Sequence, residues 1–115
     1  MNDRPLDGQV ALLTGAVRRN GRAMALGLAR QGASIVINAK RSRDEADETA
    51  RAVEAVGGEA LVHLADITDR AAVEAMFAAA ERRFGKVDIL VNNAANREQV
   101  PFLEMSYEQW RTFGA

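Results

Sequence analysis

Apolar and polar positions divide the chain into two alternating kinds of segment. Short runs rich in β-branched residues stand at Gln9–Leu13 (QVALL), Ser34–Asn38 (SIVIN), Ala60–Leu64 (ALVHL) and Val87–Val91 (VDILV). Glycine or polar residues bound each run, as they do parallel strands buried on both faces. Three segments of helical period lie between them. The first spans about Asn20 to Gln31 and stops at Gly32. The second opens on Ser42-x-x-Glu45, a capping box, carries Ala46, Ala50, Val53 and Val56 as apolar positions, and stops at Gly57-Gly58. The third spans about Asp69 to Phe84, with Ala72, Val73, Met76, Phe77, Ala80 and Phe84 on one stripe, and stops at Gly85. A further capping box, Ser106-x-x-Gln109, marks the start of a fourth helix.

The order β-α-β-α-β-α-β predicts an α/β fold, a doubly wound parallel sheet with right-handed crossovers and helices on both faces. Such sheets bind ligands outside the carboxyl ends of their strands, at the point where strand order reverses. Functional residues are therefore expected just after Leu13, Asn38, Leu64 and Val91.

Composition narrows the chemistry. The 115 residues make one domain, and 48% hydrophobic with 27% charged residues is ordinary for a globular protein. A formal net charge of -1 argues against a nucleic-acid partner, which would need a basic excess. There is no cysteine, which removes disulfides, thiolate metal sites and cysteine nucleophiles. The single histidine, His63, removes paired-histidine zinc motifs, so no metal site is expected. On its strand His63 alternates with apolar neighbours. The segment Met1–Gly8 (MNDRPLDG) is polar, unlike a signal peptide, and no run approaches the roughly 20 apolar residues of a membrane helix. A cytoplasmic protein without a membrane partner is the expectation.

Each strand end carries distinctive residues. After the first run stand Thr14, Gly15, Ala16, Val17, Arg18, Arg19, Asn20 and Gly21. A glycine lets the chain turn tightly there, and the helix beyond presents free N–H groups suited to a pyrophosphate. Two glycines around a strand–helix turn are also common in α/β proteins that bind no nucleotide. After the second run stand Lys40, Arg41 and Ser42. Sites for NAD place an acid about 20 residues past the glycine turn to bind the ribose 2′-hydroxyl. Here two cations occupy that place, which suits the 2′-phosphate of NADP(H) over NAD(H); Arg18 is a third candidate for it. After the third run, Asp66 can accept a hydrogen bond from an adenine amino group or simply belong to the turn, and Ile67 follows it. After the fourth run, the amides of Asn92 and Asn93, followed by Ala94 and Ala95, can tie neighbouring strands and let a ligand approach the backbone.

Together these positions resemble the short-chain dehydrogenase/reductase family, over nearly the whole chain. The family's T-G-x-x-x-G-x-G is matched at Thr14, Gly15 and Gly21, its D-V/I pair at Asp66-Ile67, and its N-N-A-G at Asn92-Asn93-Ala94. Two positions depart. Arg19 replaces the middle glycine, a variant similar to the pteridine reductase branch, and Ala95 replaces the last glycine of N-N-A-G. The resemblance implies a Rossmann-type NAD(P)-binding domain over residues 1–115. Gly15 to Arg18 would then line the phosphates, Lys40 to Ser42 would read the adenosine ribose, and Asp66 and Ile67 would hold adenine. Asn93 and Ala94 would face the nicotinamide ribose, while Asn92 braces the strand.

The family transfers hydride between nicotinamide and a carbonyl or alcohol. A Tyr in Y-x-x-x-K serves as acid or base, a Lys lowers its pKa, a Ser polarises the carbonyl and an Asn supports a proton relay. None of the four matches a residue of this chain, so its catalytic residues are read as none and its parent as a longer enzyme. The one tyrosine, Tyr107, is followed four places on by Arg111, and with Trp110 it is read as a packing residue. The parent is expected to be a 3-oxoacyl-type or pteridine-type reductase acting on a small carbonyl or alcohol as a homo-oligomer, dimer or tetramer. The alternative is a non-catalytic nucleotide-binding module, if the product ends at Ala115. A flavodoxin-like phosphoacceptor domain shares the alternation but conflicts with the basic glycine loop.

Overall fold

Strand β1 (Val10–Thr14) is buried along its whole length, and the sheet is built outward from it. The structure, a computed structural model, describes residues 4–15 and 19–92, with only the main chain of Arg19 and Asn20. Beyond β1 the elements are α1 (Arg19–Arg30), β2 (Ser34–Ala39), α2 (Arg43–Ala55), β3 (Ala60–Leu64), α3 (Arg70–Phe84) and β4 (Ile89–Asn92). The fourth helix expected from Ser106 lies outside the described residues.

All the described strands are parallel, in the order β3-β2-β1-β4. Leu12 is opposite Val36 on one side and Leu90 on the other. The chain steps from β1 to β2 to β3 in one direction and then crosses back to β4. A right-handed crossover that reverses direction must carry its helix over the opposite face. The core divides accordingly. Ala25 and Ala29 of α1 and Ala46 and Val53 of α2 pack on Ala11, Leu13, Ile35, Ile37 and Val91. Val73, Met76, Phe77 and Ala80 of α3 pack on Val10, Leu12, Val36 and Leu90. Alternate strand residues thus serve opposite layers, and each large apolar side chain buried this way contributes about 1.5–3 kcal/mol.

The glycines stop the helices as expected. The N–H of Gly32 bonds to Ala29 O and that of Ala33 to Leu28 O, a Schellman ending with Gly32 at φ 108°. Gly57 (to Glu54 O, φ 93°) and Gly58 (to Val53 O) repeat it on α2. On α3, the left-handed Gly85 donates to Glu81 O. At the other end of α3, Asp69 caps with its side chain, accepting from Ala72 N–H at 3.2 Å.

Several boundaries depart from the sequence expectation by a residue or two, and three departures have a visible cause. The capping box at Ser42 does not form: Ser42 stands at the N-cap, but its side chain makes no capping bond. Its φ of -83° and ψ of 68° place it at the centre of an inverse γ-turn, closed by Arg43 N–H to Arg41 O at 2.8 Å. A side-chain cap needs extended backbone at that residue. Strand β1 runs one residue further than expected, through Thr14, because Thr14 pairs with both Asn38 and Asn92. Strand β4 begins at Ile89 rather than Val87. Asp88 meets Val10 with its own N–H (2.8 Å to Val10 O) and with its carboxylate, which accepts the Val10 N–H at 2.8 Å. A side chain there replaces a ladder carbonyl.

Candidate nucleotide site at the strand ends

The reversal of strand order falls between β1 and β4, so the crevice expected of a doubly wound sheet opens at Thr14 and Asn92. These two residues are register partners, and the Thr14 hydroxyl donates to Asn92 Oδ1 at 2.8 Å. Thr14 is wholly buried, so its hydroxyl requires a partner. The bond ties the lips of the crevice together. The chain then turns at Gly15, whose φ of 68° favours glycine, and the Gly15 N–H donates to Asn38 O at 3.1 Å. Helix α1 begins four residues later, with Gly21 buried on it. Ala16, Val17 and Arg18 lie outside the described residues, as do Asn93, Ala94 and Ala95.

Asn38 links the next two strand ends. It is 2% exposed, and its Nδ2 donates to His63 O at 3.2 Å and to Ala65 O at 3.1 Å. The Ala65 N–H donates back to Ala39 O at 3.0 Å. Lys40 and Asp66 therefore leave adjacent strands from a fixed frame, and Lys40 Nζ lies 3.5 Å from Asp66 Oδ2. The other oxygen of Asp66, Oδ1, accepts the Thr68 hydroxyl at 2.7 Å and the Thr68 N–H at 2.9 Å. Those two bonds hold the Asp66 carboxyl below its ordinary value against a smaller opposing effect of desolvation, and the Lys40 charge adds the least. Ile67 turns inward and packs beside the α3-side core. Arg41 is exposed and has no ion pair among the described residues, whereas Arg43 pairs with Asp47 at 3.6 Å.

Sequence reasoning did not single out Asn38 or Asp88. Each is a polar residue inside an apolar run, and Asn38, buried within β2, must be bonded to something. Asp88 also pairs with Lys86 at 3.2 Å. A third link, Arg22 on α1 to Thr49 Oγ1 (3.2 Å) and Glu48 (3.0 Å) on α2, fixes one helix against the other behind the crevice. No group of three or more metal-ligating side chains occurs among the described residues, and no helix there is long and apolar enough to cross a membrane.

Known proteins share this arrangement. A family model described as short chain dehydrogenase matches residues 9–113. Gluconate 5-dehydrogenase of Gluconobacter oxydans is 42% identical over 91% of the chain, and the match covers 41% of that protein. The 3-oxoacyl-[acyl-carrier-protein] reductase of Synechocystis is 37% identical over 92% of the chain and 43% of its own length. Among solved structures, NAD+-bound xylitol dehydrogenase superposes with a TM-score of 0.75 at 35% identity, covering 79% of this chain and 35% of that one. The chain spans about two fifths of the length of the curated relatives it matches. With a parallel sheet, a glycine turn at the strand reversal and a family model matched over most of its length, the chain belongs to the short-chain dehydrogenase family.

Proposed function

We propose that this chain is the NADP(H)-binding portion of an oxidoreductase that moves hydride between nicotinamide and a small carbonyl or alcohol substrate. The observation that carries the choice of NADP(H) is the end of β2, where Lys40 and Arg41 follow Ala39 and the acid expected of an NAD site is missing. Exposed Arg41 is available to a 2′-phosphate through paired N–H donors. The strand ends suit such a cofactor. Gly15 turns at positive φ just ahead of α1, whose first N–H groups lack helical partners. Asp66 Oδ2 has a lone pair left to accept an adenine amino group.

When bound, nicotinamide supplies or accepts the hydride. This chain's residues bind and orient: Gly15 to Arg18 along the phosphates, Lys40 to Ser42 at the adenosine ribose, Asp66 and Ile67 at adenine, Asn93 and Ala94 at the nicotinamide ribose. Arg19, Asn20, Gly21 and Ala95 complete the set, and Asn92 braces the crevice through Thr14. The proton-transferring groups of the parent lie in sequence beyond Ala115, and the substrate is of the 3-oxoacyl or pteridine class. Residues 1–115 act as one nucleotide-binding domain of a cytoplasmic homo-oligomer.

Cofactor titration of the full-length protein tests this reading. NADPH should bind more tightly than NADH, and Arg41→Asp should narrow or reverse the difference. Equal affinities in the unsubstituted protein refute the NADP(H) assignment.

A further inference from the structure

Three cations follow β2 in close succession, and they differ in what surrounds them. Arg43 is paired within its own helix to Asp47, and Lys40 is paired across the strand ends to Asp66. Arg41 has no ion pair among the described residues. We infer that Asp66 sets the strength of the cofactor preference: by holding Lys40 it withdraws that cation from the 2′-phosphate and leaves Arg41 to grip it. The inference rests on the NADP(H) reading and goes beyond it, because it makes the residue at the adenine end a determinant of selectivity at the ribose.

The geometry explains why the pair persists. Asn38 bonds two carbonyls of the β3 end, and Ala65 bonds back to Ala39, so the two loops cannot drift apart. Thr68 holds Oδ1 of Asp66 with two bonds, which fixes the carboxylate plane and leaves Oδ2 toward Lys40 Nζ. The same bonds favour the ionised carboxylate, so the counter-charge survives well below neutral pH. A doubly charged phosphate arriving beside this pair meets a negative charge as well as a positive one. Replacing Asp66 by Asn removes that negative charge and frees Lys40. The amide oxygen can still accept both bonds from Thr68, while the NH2 that takes the place of Oδ2 can no longer accept from adenine.

The test is the ratio of dissociation constants, NADH over NADPH, measured on the full-length protein by nucleotide fluorescence. Asp66→Asn should raise the ratio about threefold at low salt, the scale of an exposed charge pair, even if both affinities fall through adenine. That gain should fade at about 0.5 M salt. Adding Lys40→Met to Asp66→Asn should cancel most of it, leaving only what the lost carboxylate charge contributes by itself. In the unsubstituted background Arg41→Met should lower the ratio more than Lys40→Met does. With Asp66→Asn present, Arg41→Met should leave a residual preference carried by Lys40. Asp66→Ser serves as a second variant with the same expected direction. An unchanged or lower ratio in both Asp66 variants overturns the inference, and so does a gain that is undiminished by the loss of Lys40. A starting ratio of one refutes the NADP(H) assignment instead, and the change on substituting Asp66 is still read against it.

Discussion

The hydroxyl of Thr14 and the amide of Asn92 meet at 2.8 Å where the order of the described strands reverses. The β1–β4 pairing extends through this pair, and Thr14 is wholly buried. Removing the hydroxyl while keeping the shape isolates its contribution. Thr14→Val should cost about 1–2 kcal/mol, since Asn92 loses its partner inside a half-buried crevice. Thr14→Ser, which restores the hydroxyl, should recover most of the bond while giving up a methyl group. Urea unfolding of the three proteins checks this; a Val variant as stable as the original would show that the bond is replaceable.

Asn38 has the same logic on the other side of β1. Its amide donates to two carbonyls at the end of β3, His63 O and Ala65 O. Asn38→Asp keeps the volume but aims oxygens at oxygens in a site 2% exposed. The loss should exceed about 2 kcal/mol at neutral pH, because a buried charge is left without a donor. Lowering the pH should reduce the deficit relative to the original protein, as the carboxyl protonates and regains one donor. A deficit that stays flat with pH would mean the new carboxylate escapes to solvent.

Glycine positions separate strain from crowding. Gly32 has φ 108°, and a Cβ there would stand 2.7 Å from Asp7 N and 2.8 Å from Asp7 Cα. Both neighbours are main chain in the turn that Leu6 fastens to Gln31 O. Gly57 has φ 93° with nothing near its missing Cβ. Gly57→Ala should therefore cost only backbone strain, about 1–2 kcal/mol. Gly32→Ala should cost clearly more, about 3 kcal/mol or above, because the turn must also shift. Chemical denaturation of the two variants side by side gives the comparison, and equal losses would show that the N-terminal turn yields freely.

What could be read in advance followed from local rules. The β-branched runs and the helical stripes named all seven elements among the described residues, and Gly32, Gly57 and Gly85 ended the helices where their positions said they should. Local rules failed where a competing local bond won: Ser42 has the residue type of a cap, yet the γ-turn between Arg41 and Arg43 takes its backbone out of capping conformation. They were silent where the partner is distant in sequence. Lys40 was read only as a partner for a 2′-phosphate, because nothing near it says that Asp66 at the end of β3 lies beside it. Only that adjacency brings Asp66 within 3.5 Å. Asn38 and Asp88 were hidden for the same reason, their partners being fixed by strand order rather than by spacing.

The titration of Asp66 tests the strand-end frame directly. Thr68 is the larger cause of its depressed pKa, through hydroxyl first and N–H second, and Lys40 the smaller. Thr68→Ala should therefore raise the carboxyl pKa back toward its ordinary value near 3.8 by more than Lys40→Met does. Carbon-detected NMR titration of the Asp66 carboxyl measures both. The sign for stability follows. A carboxyl whose folded pKa lies below its unfolded one stabilises the fold above the unfolded pKa and loses that contribution as pH falls through the folded value. Asp66→Asn should thus differ from the original protein by a constant amount from neutral pH down to about pH 5, and the difference should close in the acid range below the ordinary carboxylate pKa. If Lys40→Met moved the pKa further than Thr68→Ala, the carboxylate would be held mainly by the ion pair, and the frame drawn from Thr68 would be wrong.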